Sequence, residues 1–150
     1  MTAKKQIVDS PRGWVRSHIQ EYVKSEGRKG HRWRGYPTLL LTTRGRKSGK
    51  LRRTALIYGQ DKGRYLVVAS NGGADKHPLW YFNLLHDPEV EVQVGAEKFK
   101  ARARAANARE KPRLWRLMNE VYPTYDSYQE RASKADREIP VIILEPITNG

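Results

Sequence analysis

Three short segments hold the residue types from which a binding or reaction site could be built. The first, Thr42 to Arg53, runs Thr-Thr-Arg-Gly-Arg-Lys-Ser-Gly-Lys-Leu-Arg-Arg directly after an apolar stretch. Gly45 and Gly49 let the backbone approach an anion, while Arg46, Lys47, Arg52 and Arg53 offer forked and point-like donors to phosphate or carboxylate. It is not a nucleotide-binding P-loop. Three residues rather than four separate the glycines, and Leu51 stands where Ser or Thr would hold magnesium. A solvated basic hairpin with no ligand would have the same composition.

The second segment, Ala69 to Trp80, reads Ala-Ser-Asn-Gly-Gly-Ala-Asp-Lys-His-Pro-Leu-Trp. A strand end running into a paired-glycine turn and a proline-started helix presents backbone amides and a positive helix end, which suit a flat polar ring or an anion. A plain connecting loop satisfies the same pattern, and a histidine such as His77 is more often a surface residue than a base. In the third segment, Tyr122, Tyr125 and Tyr128 recur at a spacing of three across a helix start. Their hydroxyls then fall on about one side of a helix, able to line a pocket and donate hydrogen bonds at neutral pH. Ordinary amphipathic packing is the competing reading. Metal chemistry finds no signature, because His18, His31, His77 and His86 lack partners at ligand spacing. There is no serine nucleophile elbow and no cysteine, so covalent hydrolysis and thiol redox chemistry are disfavoured.

The elements that must position these segments are short apolar runs in a polar chain. Leu39-Leu40-Leu41 suits a strand buried on both faces. The runs Arg53 to Tyr58 and Arg64 to Ser70 flank Gln60-Asp61-Lys62-Gly63, which predicts a hairpin. Val90, Val92 and Val94 alternate with polar residues and turn at Gly95-Ala96 into Lys98 to Arg104, a second hairpin. Ile139 to Glu145 is the last strand. Ser10-Pro11 resembles a helix start, followed by Trp14, Val15, Ile19, Tyr22 and Val23 at helical spacing. Pro78 to Leu85 reads as a short helix, and Leu114, Leu117, Met118 and Val121 mark another, with Asn107-Glu110 or Pro112 as its start. Ser25 to Gly35 reads as a mobile loop. About six mostly antiparallel strands with three or four helices suggest a small α+β barrel, since closure removes exposed edges.

At 150 residues one domain is the default, with 1–30 as a basic helix and loop and 36–146 as the core. No run approaches the roughly 20 apolar residues of a membrane span, and the N-terminus lacks a signal-peptide stretch, which predicts a cytoplasmic protein. A formal charge of +13 asks for an acidic partner: nucleic acid, an anionic membrane surface, or a small ligand with a phosphate or polycarboxylate tail.

Taken in order, Leu-Leu-Thr-Thr-Arg-Gly-Arg-Lys-Ser-Gly, Val-Val-Ala-Ser-Asn-Gly-Gly, Pro-Leu-Trp-Tyr-Phe-Asn-Leu, Asp-Pro-Glu-Val-Glu-Val and Tyr-Pro-Thr-Tyr-Asp-Ser-Tyr resemble the deazaflavin-dependent nitroreductase and quinone reductase family of actinobacteria, from about Thr38 to Pro146. The resemblance implies an FMN-binding-like split β-barrel and coenzyme F-420, whose phosphate and oligoglutamate tail would answer the basic charge without nucleic acid. It further implies that Arg46, Lys47, Ser48 and Arg52 or Arg53 hold the tail. Ala55, Ile57, Ala69, Ser70, Asn71, Leu79 and Trp80 would surround the deazaflavin, and Tyr122, Tyr125 and Tyr128 would close over ring and substrate. Hydride transfer to a quinone or nitroaromatic acceptor follows, with Ser70 or a tyrosine, Tyr125 first, donating a hydrogen bond or proton. Some members carry Tyr at the position of Ile57, Lys at that of Asn71 and Pro at that of Leu51, so reduction of bulky nitroimidazoles does not follow from the resemblance. Related split barrels often pair, which makes a homodimer an expectation by analogy. The alternatives are a basic β-barrel binding nucleic acid through Trp33, Tyr36 and the cationic hairpin, and a carrier of the coenzyme without turnover.

Overall fold

The computed structural model describes residues 7–10 and 13–147. Among them lie nine strands and four helices: β1 (Ile7–Asp9), α1 (Gly13–Lys24), β2 (Arg32–Trp33), β3 (Tyr36–Arg44), β4 (Leu51–Ile57), β5 (Gly59–Asp61), β6 (Arg64–Val68), α2 (Leu79–His86), β7 (Glu89–Val94), β8 (Glu97–Ala105), α3 (Lys111–Val121), α4 (Thr124–Ser133) and β9 (Val141–Pro146). A short 3-10 turn occupies Asn71–Gly73. The strands form one mixed sheet in the order β1-β4-β3-β7-β8-β9-β6-β5, with β2 on β3 and only β1 running parallel to its neighbour. The expected six strands are therefore nine, and the ladder does not close, because β1 and β5 end the path.

The sheet curls around one apolar interior. Leu39 and Leu41 of β3, Val67 of β6, Val90 and Val92 of β7, Ala101 and Ala103 of β8, and Ile142 and Leu144 of β9 meet there. Strand alternation sends Leu66, Val68, Val141 and Ile143 to the other face, where Leu114 and Met118 of α3 and Tyr125 and Ala132 of α4 cover them. This two-sided burial accounts for the continuous apolar runs of β6 and β9. Leu40 points outward to Val15, Ile19 and Tyr22 of α1. The amphipathic reading of α1 holds for those three residues, whereas Trp14 is 60% exposed. Pro11, half of the predicted helix start, lies outside the described residues.

Two predicted connections differ. The Lys62-Gly63 turn joins β5 to β6, with both residues at positive φ, while Arg53 to Tyr58 pairs with β3 rather than β6. Gly59 is where the chain leaves one ladder for the other. Ser25 to Gly35 is pinned rather than loose: it contains β2, His18 Nε2 lies 2.6 Å from Gly30 O, and Gly27 is so close that a Cβ there would sit 2.3 Å from Gly95 Cα. Tyr22 locks this corner, its hydroxyl donating to Thr38 O at 3.0 Å and accepting from Gly95 N at 2.7 Å. Both start signals of α3 are used. Asn107 Oδ1 accepts from Glu110 N at 2.9 Å, Glu110 Oε1 accepts from Asn107 N at 2.9 Å, and Pro112 sits in the first turn of the helix proper.

Candidate functional site

The β3–β4 connection is a loop closed on its own backbone. Gly45 N donates to Lys50 O at 2.7 Å, Gly49 N to Gly45 O at 2.8 Å, and Lys50 N to Ser48 Oγ at 3.2 Å. A Cβ on Gly45 would stand 2.8 Å from Ser48 Oγ and 3.4 Å from Arg52 Nε, so glycine there lets Ser48 and Arg52 draw in. Helix α2 clamps the loop. Buried Asn83 accepts from Arg46 N at 3.2 Å and donates to Thr43 Oγ1 at 3.2 Å, and the Arg46 guanidinium lies 5.4 Å from the Phe82 ring centre. Arg46, Lys47, Ser48, Lys50 and Arg52 are exposed. Among the described residues no carboxylate pairs with these four cations.

Arg53 is occupied elsewhere. Register sets Arg52 opposite Thr43 and Arg53 opposite Thr42, on opposite faces of β4. There Arg53 Nε donates to Asp9 Oδ1 at 2.7 Å with both side chains largely buried, tying β1 to the sheet. Ala55 and Ile57 share the Arg53 face, Ala55 packing beneath α1. The cation loop and these two residues thus meet different faces of one strand.

The second segment forms a left-handed turn. Asn71, Gly72 and Gly73 have φ of 48°, 63° and 77°. Gly73 N donates to Ser70 O at 2.9 Å and Ala74 N to Asn71 O at 3.1 Å. The turn rests directly on α4, since a Cβ on Gly73 would lie 2.5 Å from Tyr128 O. Ser70 and Asn71 are half-buried, Ala69 is fully buried, Trp80 packs on the core, and Leu79 is 73% exposed. Behind the turn is a residue for which the sequence held no signal. Buried Arg137, flanked by exposed Asp136 and Glu138, donates to Ser70 O at 2.9 Å, Ala74 O at 2.7 Å, Ala69 O and His77 Nδ1 at 2.9 Å.

The three tyrosines cluster but are not equivalent. Tyr125 is 5% exposed, inside the core under α3 and α4, and burial pushes its hydroxyl far above the ordinary phenol value. Tyr122 and Tyr128 are half-buried, with hydroxyls 3.4 Å apart. Their hydrogen bond, together with burial, raises Tyr128 to about 12. Tyr122 also stacks edge-on against Tyr36 at 4.8 Å and Trp33 at 6.4 Å, and Trp33 stacks on Trp14 at 5.8 Å. Trp33 and Tyr36 therefore extend the tyrosine cluster. Tyr36 lies on the same face as Thr38, the partner of Ile57, and two residues before it on β3, so through its contact with Tyr122 the tyrosine trio bridges the Ile57 end of β4 to the turn at Gly73. Among the described residues no three His, Asp or Glu side chains converge as metal ligands.

Against known proteins, the chain matches the model of the F-420H(2)-dependent quinone reductase family over residues 14–146. The chain belongs to that family. The F-420H(2)-dependent quinone reductase Rv1261c of Mycobacterium tuberculosis is 41% identical over 87% of this chain and 88% of its own length. A solved F-420-H2-dependent reductase, FDR-A, is 44% identical over 73% of this chain and 94% of that one, with a TM-score of 0.66. A solved domain-swapped dimer is 40% identical over 91% of this chain and all of that one, with a TM-score of 0.69.

Proposed function

We propose that the protein binds coenzyme F-420 and passes a hydride from its reduced form to a quinone. The observation that carries this reading is the backbone-closed loop with four cations that no described carboxylate pairs, joined through α2 to the left-handed turn on α4. That donor set fits an acidic phosphate-and-carboxylate tail, with Arg46, Lys47, Ser48 and Arg52 as its ligands and Arg53 committed to Asp9. Ser70, Asn71, Leu79 and Trp80 would border the flat ring at the turn, Ala69 through its backbone only, and Ile57 would meet it from the end of β4 beside the tyrosines, whereas Ala55 is taken up beneath α1. When bound, the deazaflavin supplies a hydride donor at carbon.

The chain's own work is placement, a proton and exclusion of water. Tyr36, Trp33 and Tyr122 form an aromatic wall against which a planar acceptor can stack near the ring, which makes transfer effectively unimolecular. Of the hydroxyls, Tyr122 and Tyr128, which lie 3.4 Å apart, would donate to an acceptor oxygen as charge develops there, with Ser70 as the donor on the turn side. Burial gives Tyr125 the task of supporting that pair. A nitroaromatic ring satisfies the same wall.

We read the curled nine-stranded sheet as an opened split barrel with its core in 36–146, and the protein as cytoplasmic and able to pair with a second copy. No described helix is long and apolar enough to cross a membrane. Exposed Trp14, with Arg16 and Lys24 on α1, suits brief contact with an anionic bilayer from which a quinone could be drawn.

The test is a titration with coenzyme F-420, then reoxidation of the reduced coenzyme by menadione followed by absorbance. Saturable binding with protein-dependent reoxidation is the expected result. Binding without turnover across several quinones would leave a carrier, and absence of binding would overturn the reading.

A further inference from the structure

We propose that Arg137 is a positioning residue that turns the backbone amides of the Ser70–Asp75 segment outward, as a donor set for the carbonyl oxygens of a flat polar ring. The ring's identity rests on the deazaflavin reading above; the geometry of the turn does not.

Arg137 is 6% exposed and, among the described residues, has no carboxylate within ion-pair distance. A buried cation with no carboxylate in contact, Asp75 acting on it only at longer range, is costly unless hydrogen bonds replace its hydration. Here the carbonyls of Ala69, Ser70 and Ala74 and the Nδ1 of His77 do so, filling most of a planar fork with five N–H donors. Three carbonyls converging on one cation is a constraint on the backbone. In a trans peptide the C=O and the next residue's N–H point in opposite directions. Drawing in the oxygens of Ala69, Ser70 and Ala74 therefore turns out the N–H groups of Ser70, Asn71 and Asp75. None of these three amides donates to a described residue, whereas their neighbours Ala69, Gly73 and Ala74 all do. The left-handed conformation of Asn71, Gly72 and Gly73 brings the outward groups to one short stretch of surface.

Lysine cannot reproduce this arrangement, because a single ammonium cannot span three carbonyls approached by two guanidinium nitrogens and an imidazole nitrogen approached by the third. Arg137 also donates to His77 Nδ1, which keeps that nitrogen unprotonated and joins the start of α2 to the same centre.

The test compares R137K and R137Q with L114A, a core substitution on α3. Amide exchange of the coenzyme-free protein, melting temperature, F-420 affinity by fluorescence, and KM and kcat with menadione are measured on each. The Arg137 variants should lose exchange protection at Gly73 and Ala74, and coenzyme affinity should fall about tenfold or more. Saturating coenzyme should restore kcat to within about threefold. L114A should lower the melting temperature while leaving affinity within about twofold. Affinity and turn protection unchanged in R137K and R137Q, or losses that track melting temperature equally in L114A, would overturn the proposal. If the wild-type protein fails to bind F-420, the functional reading falls, and exchange at Gly73 and Ala74 still decides the role of Arg137.

Discussion

Substituting alanine for Gly73, with the same change at Gly72 beside it, separates two costs that this turn combines. Both glycines have positive φ, 77° and 63°, a conformation that costs an L-residue roughly 1–2 kcal/mol. At Gly72 that is the whole effect, because an added Cβ meets nothing within 4 Å. At Gly73 the Cβ would lie 2.5 Å from Tyr128 O and 2.9 Å from Tyr128 Cα, both backbone atoms that cannot rotate away. Relief to an ordinary 3.4 Å contact needs the turn and α4 to part by roughly 0.9 Å, and overpacking of that kind costs about 1–3 kcal/mol. Gly73→Ala should therefore cost roughly 2–5 kcal/mol against roughly 1–2 for Gly72→Ala, with a melting temperature lower by a further 2–4 °C or more. Because the displacement moves Ser70 relative to Tyr128, menadione kcat/KM should fall by about 10- to 100-fold in Gly73→Ala and much less in Gly72→Ala. Calorimetry and steady-state kinetics on the two proteins decide it. Equal losses in both would refute the claim that backbone contact between the turn and α4 organises the site.

Arg52→Gln should weaken F-420 binding with little change in melting temperature, whereas Arg53→Gln should lower the melting temperature through the stranded Asp9 and leave binding nearly intact; titration and thermal unfolding separate the two. Tyr22→Phe leaves Gly95 N–H without its acceptor in a buried corner and should cost about 2 kcal/mol, read by denaturant unfolding. The Arg113 hydrogen bond, joined by Arg64, holds the Asp61 carboxyl well below its ordinary 3.8, and Arg104, helped by Asn107 N–H, holds Glu110 at about 2 instead of 4.5. Carboxyls that are more acidic folded than unfolded stabilise the fold above their unfolded values and lose that contribution as pH falls toward the folded ones. Melting temperature should thus drop as pH falls from about 4.5 to about 2, and Asp61→Asn should flatten part of that slope. With Tyr128 raised to about 12, kcat should show no loss near pH 10 from ionisation of this hydroxyl.

Local patterns made much of the scaffold legible. The alternation of Val90, Val92 and Val94, the Lys62-Gly63 turn, the reciprocal Asn107-Glu110 cap and the helical spacing of Leu114 and Met118 are each decided within about ten residues by sterics and burial period. The cationic loop was equally readable, since glycine spacing and charge are local properties. Pairing between distant strands was not. The run Arg53 to Tyr58 has the same character whether it joins β3 or β6, and Gly59, which separates the two ladders, carries no mark of it.

The amino-acid order by itself determined the strand and helix periods, the cluster of cations, the glycine turn and the spacing of the tyrosines, because these depend on neighbours along the chain. Tertiary structure alone decided which side chains the site keeps. Register put Arg52 and Arg53 on opposite faces and spent Arg53 on Asp9, and packing buried Tyr125 while leaving Tyr122 and Tyr128 in contact. It also brought Arg137 back across more than sixty residues to the turn at Ser70. The reason is that burial and charge pairing are settled by what arrives from elsewhere in the chain, and a residue's own type and near neighbours do not encode who that partner will be.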